Sequence, residues 1–319
     1  MKLSLLISML LLLLTTSGVV VSAPYPEKQI TMVVPFPAGG TSDSLARILA
    51  KNVGAAMGTS IIVENKPGVE GQIAAQDIAK ARPDGYRIGL VTAGNLSALP
   101  AMRSQPPYDV QRDFTPIADI ARYAFFLYVN PEVPVKNFKD FVSYAKANPG
   151  KMSYATGNNT GVLLFAQLKQ QFGIDLVHVP YKGEPPAMTD LLGGRVQAMI
   201  ATAAGLPFSK DGKLNVFVSV LNERTPLAPN VPFFKELGLG ELPVLLWAAI
   251  VGPGNMPKPV VERLNKEFSA VIRDPAIKRQ IEDLGFSVTP GSSEALGTMI
   301  AEQLLAYQQL VKAIGLQQN

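Results

Sequence analysis

Residues 31–57, TMVVPFPAGGTSDSLARILAKNVGAAM, decide how the chain folds. Met32, Val33, Val34 and Phe36 form a short apolar run with the pattern of a buried strand, which breaks at Pro37, Ala38, Gly39 and Gly40. The pattern restarts at Leu45, Ile48, Leu49, Val53 and Met57, a spacing that sets all five on one helical face. Between strand and helix lies a loop suited to an anion. Gly39 and Gly40 let a ligand approach the main chain, and the helix start presents unpaired N–H groups and partial positive charge to the same spot. Thr41, Ser42 and Asp43 all suit the N-cap position, and Asp43 is equally placed to fix waters around a ligand. An ordinary capped strand-to-helix turn accounts for this loop taken alone just as well.

On the N-terminal side, Met1–Ala23 has the three parts of a secretory leader. Lys2 gives a positive end, Leu3–Leu14 is apolar apart from Ser4 and Ser8, and Val21-Ser22-Ala23 fits a small-residue cleavage site. The apolar part is short for a membrane span, so an exported, soluble mature chain is expected. The sequence has no cysteine, which excludes a disulfide framework and a lipid-bearing cysteine. About 300 residues remain, more than one compact core usually organises, so two lobes are expected. The net charge of +4 is spread out, without the Lys/Arg runs that nucleic acid requires.

On the C-terminal side, strand-like and helix-like segments alternate, which predicts an α/β fold with largely parallel sheets. Strands are expected at 60–63 and 87–91, the latter ending in Thr92-Ala93-Gly94-Asn95, and ligands bind beyond the carboxyl ends of such strands. The apolar run 117–129 is too long for one simple strand and is read as the passage into a second lobe. There a strand at 153–155 delivers Thr156-Gly157-Asn158-Asn159-Thr160-Gly161 and a helix over 162–172. This is a second strand, polar glycine loop and helix, with more polar side chains than one cap needs. The run 242–251 is read as the return, and helices over 258–272, 276–284 and 293–310 complete the first lobe. Lobe one is thus expected over 24–123 plus 247–319, and lobe two over 124–246. Trp247, the only tryptophan, falls at the return.

An enzyme is the main competing class, since glycine loops also cradle phosphates. Neither a G-x-x-x-x-G-K-S/T loop nor a G-x-S-x-G elbow occurs, and His178, the one histidine, sits in the middle of a strand pattern. Zinc chemistry based on His and Cys is excluded, an all-oxygen site for another metal is not, and no cofactor is expected.

The ordered set YPEKQITMVVPFPAGGTSD, VENKPGVEGQIAA, RPDGY, YATGNNTG, VHVPYKG, LLGGRV and VGPGNMPKPVVERLN resembles the exported solute receptors of tripartite tricarboxylate transporters, the Bug family. The resemblance covers nearly the whole mature chain. It implies a two-lobed periplasmic binding protein, a type II-like Venus flytrap with crossing hinge strands, that binds a small carboxylate and hands it to membrane permease subunits. It also implies a monomer located in the periplasm. Carried onto this chain, the carboxylate grip falls on Phe36, Ala38, Gly39, Gly40, Ser42 and Asp43 on one side. On the other it falls on Thr156, Asn158, Asn159 and Thr160, with Thr92, Gly94, Asn95 and Tyr181 lining the remaining wall. A sensor that shows its closed form to a signalling partner needs the same clamshell. Two departures bear on the ligand. Asn159 stands where the family commonly has glycine, and Ala201 where an acidic residue often follows the strand. With Ala203, Ala204 and Leu206, Ala201 suggests a less polar distal group and disfavours amino acids.

Overall fold

The computed structural model describes residues 25–240 and 242–316, so the expected leader lies outside the described residues. Eleven strands build two sheets among these residues. They are β1 (Ile30–Val34), β2 (Ile61–Asn65), β3 (Arg87–Thr92), β4 (Phe114–Tyr123), β5 (Phe125–Val129), β6 (Ser153–Thr156), β7 (Val177–Pro180), β8 (Ala198–Ala201), β9 (Asn215–Val220), β10 (Trp247–Pro253) and β11 (Phe286–Val288). The first sheet runs β11-β4-β10-β3-β1-β2 and the second β7-β6-β8-β5-β9. This is a two-lobed α/β architecture, with one sheet in each lobe.

The sheets are mixed, where the alternation of elements had predicted largely parallel ones. β1 pairs in parallel with β2 and β3, and β6 with β7 and β8. The strands that carry the chain between lobes run the other way: β10 is antiparallel to β3 and β4, and β5 to β8 and β9. A strand arriving from the other lobe is not tied to a βαβ crossover, so nothing forces it parallel.

The apolar run 117–129 is two strands broken at Ala124, β4 in the first sheet and β5 in the second. Alternation along β5 then divides its side chains. Phe125, Leu127 and Val129 join a core continuous with the first lobe, while Phe126 and Tyr128 join a separate cluster on the other face. The returning run 242–251 becomes a strand only at Trp247, which is fully buried and paired with Arg122 beside the outgoing passage.

Helices cover both sheets. Those that matter for the site are α1 (Thr41–Met57), α2 (Asn159–Phe172), α3 (Glu184–Leu192) and α4 (Ser293–Ile314). α1 buries Leu45, Leu49, Val53 and Met57 as its spacing predicts, with Ala46, Ala50 and Gly54 completing the face while Ile48 is half-buried. α4 packs on β4 in the first lobe and reaches α2 in the second. Among the described residues no helix is long and apolar enough to cross a membrane.

Candidate functional site

The two polar glycine loops face one cleft between the lobes. On the first-lobe side the chain leaves β1 through Pro35 and enters α1 with Gly40 as its N-cap. No side chain caps that helix, although Thr41, Ser42 and Asp43 all had the chemistry for it. The reason is the use made of Asp43, which is 3% exposed and points back into the lobe. Its Oδ2 accepts from the Gly39 N–H and from Arg47 Nε, each at 2.9 Å, and its Oδ1 accepts from Asn65 Nδ2 at 2.9 Å. Burial works against its charge, but the hydrogen bonds from Arg47, Gly39 and Asn65 outweigh it and hold the carboxyl below its ordinary range. Asp43 thus shapes the loop from behind and leaves the first N–H groups of α1 open to the cleft.

In the second lobe β6 ends in the same way, with Asn158 as the N-cap of α2, its Oδ1 accepting from the Gly161 N–H at 2.8 Å. The crowded polar residues divide their tasks. Asn158 caps, while Asn159 is fully buried and donates Nδ2 across the lobe boundary to Glu70 O at 3.3 Å and Gly94 O at 3.2 Å. Thr160 Oγ1 is buried against the Tyr307 hydroxyl of α4. Glu70 meets Asn159 from a turn in which both Val69 and Glu70 have positive φ, 43° and 56°. L-residues enter that region at a cost, and here the turn aims a carbonyl at the opposite lobe.

Gly157 is glycine because α3 starts against it: a Cβ there would meet the Gly183 carbonyl carbon at 2.5 Å and Glu184 N at 2.6 Å. Gly183 in turn packs on Pro37 of the first lobe, and Thr41 Oγ1 lies 2.9 Å from Thr202 Oγ1. The lobes are therefore in contact around the cleft, the closed arrangement of a clamshell.

The cleft is lined by Phe36, Pro37, Gly40, Thr41, Ser42, Thr92 and Gly94 from the first-lobe loops. Gly157, Asn158, Thr160, Glu184, Pro185 and Thr202 line it from the second, and Tyr123, Phe125 and Phe286 close the end at the passage between lobes. Of the residues singled out from sequence, Phe36, Gly40, Ser42, Thr92, Gly94, Asn158 and Thr160 line this cleft. The others lie elsewhere. Ala38 is exposed, and Gly39 faces an adjoining outer pocket with Ala203 and Ala204. Asn95 is buried behind β3, where its Oδ1 accepts from Thr92 N and Oγ1 and its Nδ2 donates to Glu70 O. Thr156 Oγ1 bonds His178 Nε2 at 2.6 Å on the outer side of β6, and Tyr181 donates its hydroxyl to Asp190 Oδ2 at 2.8 Å beside a neighbouring pocket. Ala201 is fully buried in the second-lobe core, and the residue after it, Thr202, meets the cleft.

Sequence reasoning missed the aromatic end and Glu184. Tyr123 packs against Phe125 at 5.3 Å and Phe286 at 5.9 Å between ring centroids, and Phe286 sits in a three-residue strand too short to give a pattern. Glu184 follows Gly183 at the start of α3, a position that reads as an ordinary helix-start acid. Its Oε1 accepts from Thr202 Oγ1 at 2.7 Å and Thr202 N at 3.1 Å. Enclosure between the lobes pushes its carboxyl up to about 7, against the pull of the Thr202 bonds. No Lys or Arg lines the cleft, and no cluster of metal-ligating side chains occurs among the described residues.

The sequence and the fold are similar to those of known proteins. Residues 45–316 match the model of the tripartite tricarboxylate transporter family receptor. A UPF0065 protein from the gbd 5' region of Cupriavidus necator is 31% identical over 300 residues, covering 92% of this chain and 89% of its own length. The solved structure of the periplasmic binding protein BugD superimposes with a TM-score of 0.87 at 32% identity, over 92% of this chain and all of its own. R. palustris Rpa4515, solved with adipate, gives a TM-score of 0.87 at 29% identity over 92% of this chain and 99% of its own. The chain belongs to the tripartite tricarboxylate transporter receptor family and is a solute-binding receptor.

Proposed function

We propose that the mature protein is a periplasmic receptor that captures a small carboxylate between its lobes and delivers it to the membrane permease subunits of a tripartite transporter. The observation that carries this reading is the pair of helix starts, α1 at Gly40–Ser42 and α2 at Asn158–Thr160, that face one cleft from opposite lobes. Each presents main-chain N–H groups and the positive end of a helix dipole, so an anion held between them stabilises the closed form. Hydrogen bonds to a charged group contribute about 1.5–3 kcal/mol each, so four or five suffice for micromolar affinity, about 8 kcal/mol, without a cationic side chain. The adipate in Rpa4515 is consistent with this chemistry.

The test is a thermal-shift screen of the mature protein against di- and tricarboxylates, aromatic carboxylates, amino acids and nucleotides. A ligand that binds only the folded state raises the melting temperature. A shift with a carboxylate that disappears in the Gly40→Val, Asn158→Ala double variant is the expected result. Shifts with nucleotides alone, or with none of these compounds, would refute the carboxylate clamp. Co-purification of the closed, liganded receptor with the permease subunits, and not of the ligand-free protein, is expected if delivery is the role.

A further inference from the structure

The cleft contains an acid that a clamp for a simple anion does not need. Glu184 stands at the N-terminus of α3 with its carboxyl enclosed between the lobes, and its two oxygens have different surroundings. Oε1 is fully engaged by Thr202, whose hydroxyl also meets Thr41 of the first lobe at 2.9 Å. Because the Thr202 hydroxyl donates to Glu184, the Thr41 hydroxyl must donate to Thr202, which gives a polarised chain from one lobe to the other. Oε2 has no partner among the described residues, and the side chain borders both the cleft and the outer pocket.

Charge accounting around Glu184 narrows what that oxygen awaits. Tyr123 and Tyr128 lie close enough to feel the charge of Glu184, and Asp283 lies across the outer pocket; none of them is a cation. An enclosed carboxyl without a cation is shifted toward its neutral form, and a ligand cation is what restores the charged one. A dicarboxylate would add a second negative group beside it. A ligand with one carboxylate for the helix starts and an amine for Glu184 neutralises both ends. Tyr123, Phe125 and Phe286 leave an apolar wall for the ligand's carbon skeleton.

We infer that the captured solute is an amino-bearing carboxylate whose ammonium group pairs with Oε2 of Glu184, so that Glu184 is the residue that selects among carboxylates. The inference rests on the carboxylate-receptor reading. It also removes the ground for expecting amino acids to be disfavoured, since that expectation rested on Ala201, which is buried in the second-lobe core. The burial-raised carboxyl of Glu184 gives the capture a proton signature: pairing with ammonium drives Glu184 to its ionised form and releases a proton near neutral pH, whereas a second ligand carboxylate would drive proton uptake.

The experiment is calorimetric titration of the mature protein with matched pairs: L-phenylalanine against 3-phenylpropanoate, L-aspartate against succinate, and γ-aminobutyrate against butyrate. Each is run at neutral pH in two buffers of different ionisation enthalpy. In at least one pair the amino member is expected to bind about 10- to 100-fold more tightly, with proton release. Glu184→Gln, which keeps the volume and the Thr202 contacts, is expected to erase that advantage together with the proton release, and a ligand-free melting temperature close to that of wild type shows that the variant is folded. Tighter binding of the desamino member in every pair, proton uptake on binding, or an amino advantage that survives Glu184→Gln overturns the inference and leaves the receptor reading intact. Failure of all six compounds overturns the inference, and the wider carboxylate screen then decides the receptor reading by itself.

Discussion

Asp43→Asn removes one charge while keeping the shape of the side chain, and its cost follows from three hydrogen bonds. Gly39 N, Arg47 Nε and Asn65 Nδ2 all donate to the Asp43 carboxylate at 2.9 Å. An amide has one acceptor oxygen. If that oxygen keeps Gly39 and Arg47, the new NH2 faces the NH2 of Asn65, and flipping Asn65 would sacrifice its bond to Phe36 O. At least one charge-assisted bond at a buried site is therefore lost, about 2–3 kcal/mol. In a protein of this size each kcal/mol moves the melting temperature by about 2–4 °C, so a fall of roughly 4–12 °C is expected. The loop that opens the α1 start relaxes with it, and ligand affinity should drop at least about threefold. The sign with pH is fixed as well. The folded carboxyl lies below its ordinary range, so its contribution is present above the ordinary carboxylate pKa and is lost as pH falls through the lower folded value. The Asn variant should therefore lose part of the acid-side slope of stability. Thermal unfolding and ligand titration from pH 3 to 7 measure both. A variant within about 1 °C of wild type, with unchanged affinity, would show that Asp43 does not hold this loop.

Other residues test the closure itself. A Cβ at Gly183 would lie 2.6 Å from Pro37 Cδ, and its φ of 157° with ψ of 177° is a conformation that L side chains rarely adopt, so Gly183→Ala should weaken ligand binding about tenfold or more by propping the lobes apart and should also lower the melting temperature of the ligand-free protein. Asn159→Ala deletes the bonds to Glu70 O and Gly94 O, two long neutral contacts across the boundary, and should cost about fivefold in affinity. Solution scattering should show that variant shifted toward an open form. Trp247 is buried where the chain re-enters the first lobe, so its emission should change on ligand addition, and an unchanged spectrum under saturating ligand would place the hinge elsewhere.

Much of this architecture is legible locally. The apolar face of the helix over 41–57 and the division of the run 117–129 follow from patterns a few residues long, because periodicity is local physics, whereas which residue caps each helix start was not fixed by the same patterns. What was illegible is set by distant contacts. The direction of β5 and β10 depends on which lobe each strand comes from, and the three residues of β11 have no periodicity to read. The stretch after Thr92 looks like a loop of small residues but winds into a widened helical turn over Gly94–Ala98, held where Asn95 Oδ1 caps Thr92. The site divides in the same way. Glycines and small polar residues flagged both helix starts, but which of the polar side chains faces the cleft depends on partners 20 or more residues away: Asn65 draws Asp43 inward, and His178 draws Thr156 outward. Glu184 gave no signal because an acid in the first turn of a helix is common; only Thr202, brought from β8, shows its carboxyl to be enclosed.

The most direct measurement is a crystal structure of the mature protein with the tightest carboxylate from the screen. The account predicts one ligand carboxylate within hydrogen-bonding distance of main-chain N–H groups at Thr41–Ser42 and at Asn159–Thr160, with the lobes closed around it. A carboxylate held instead by a Lys or Arg side chain, or bound outside the cleft, would contradict it.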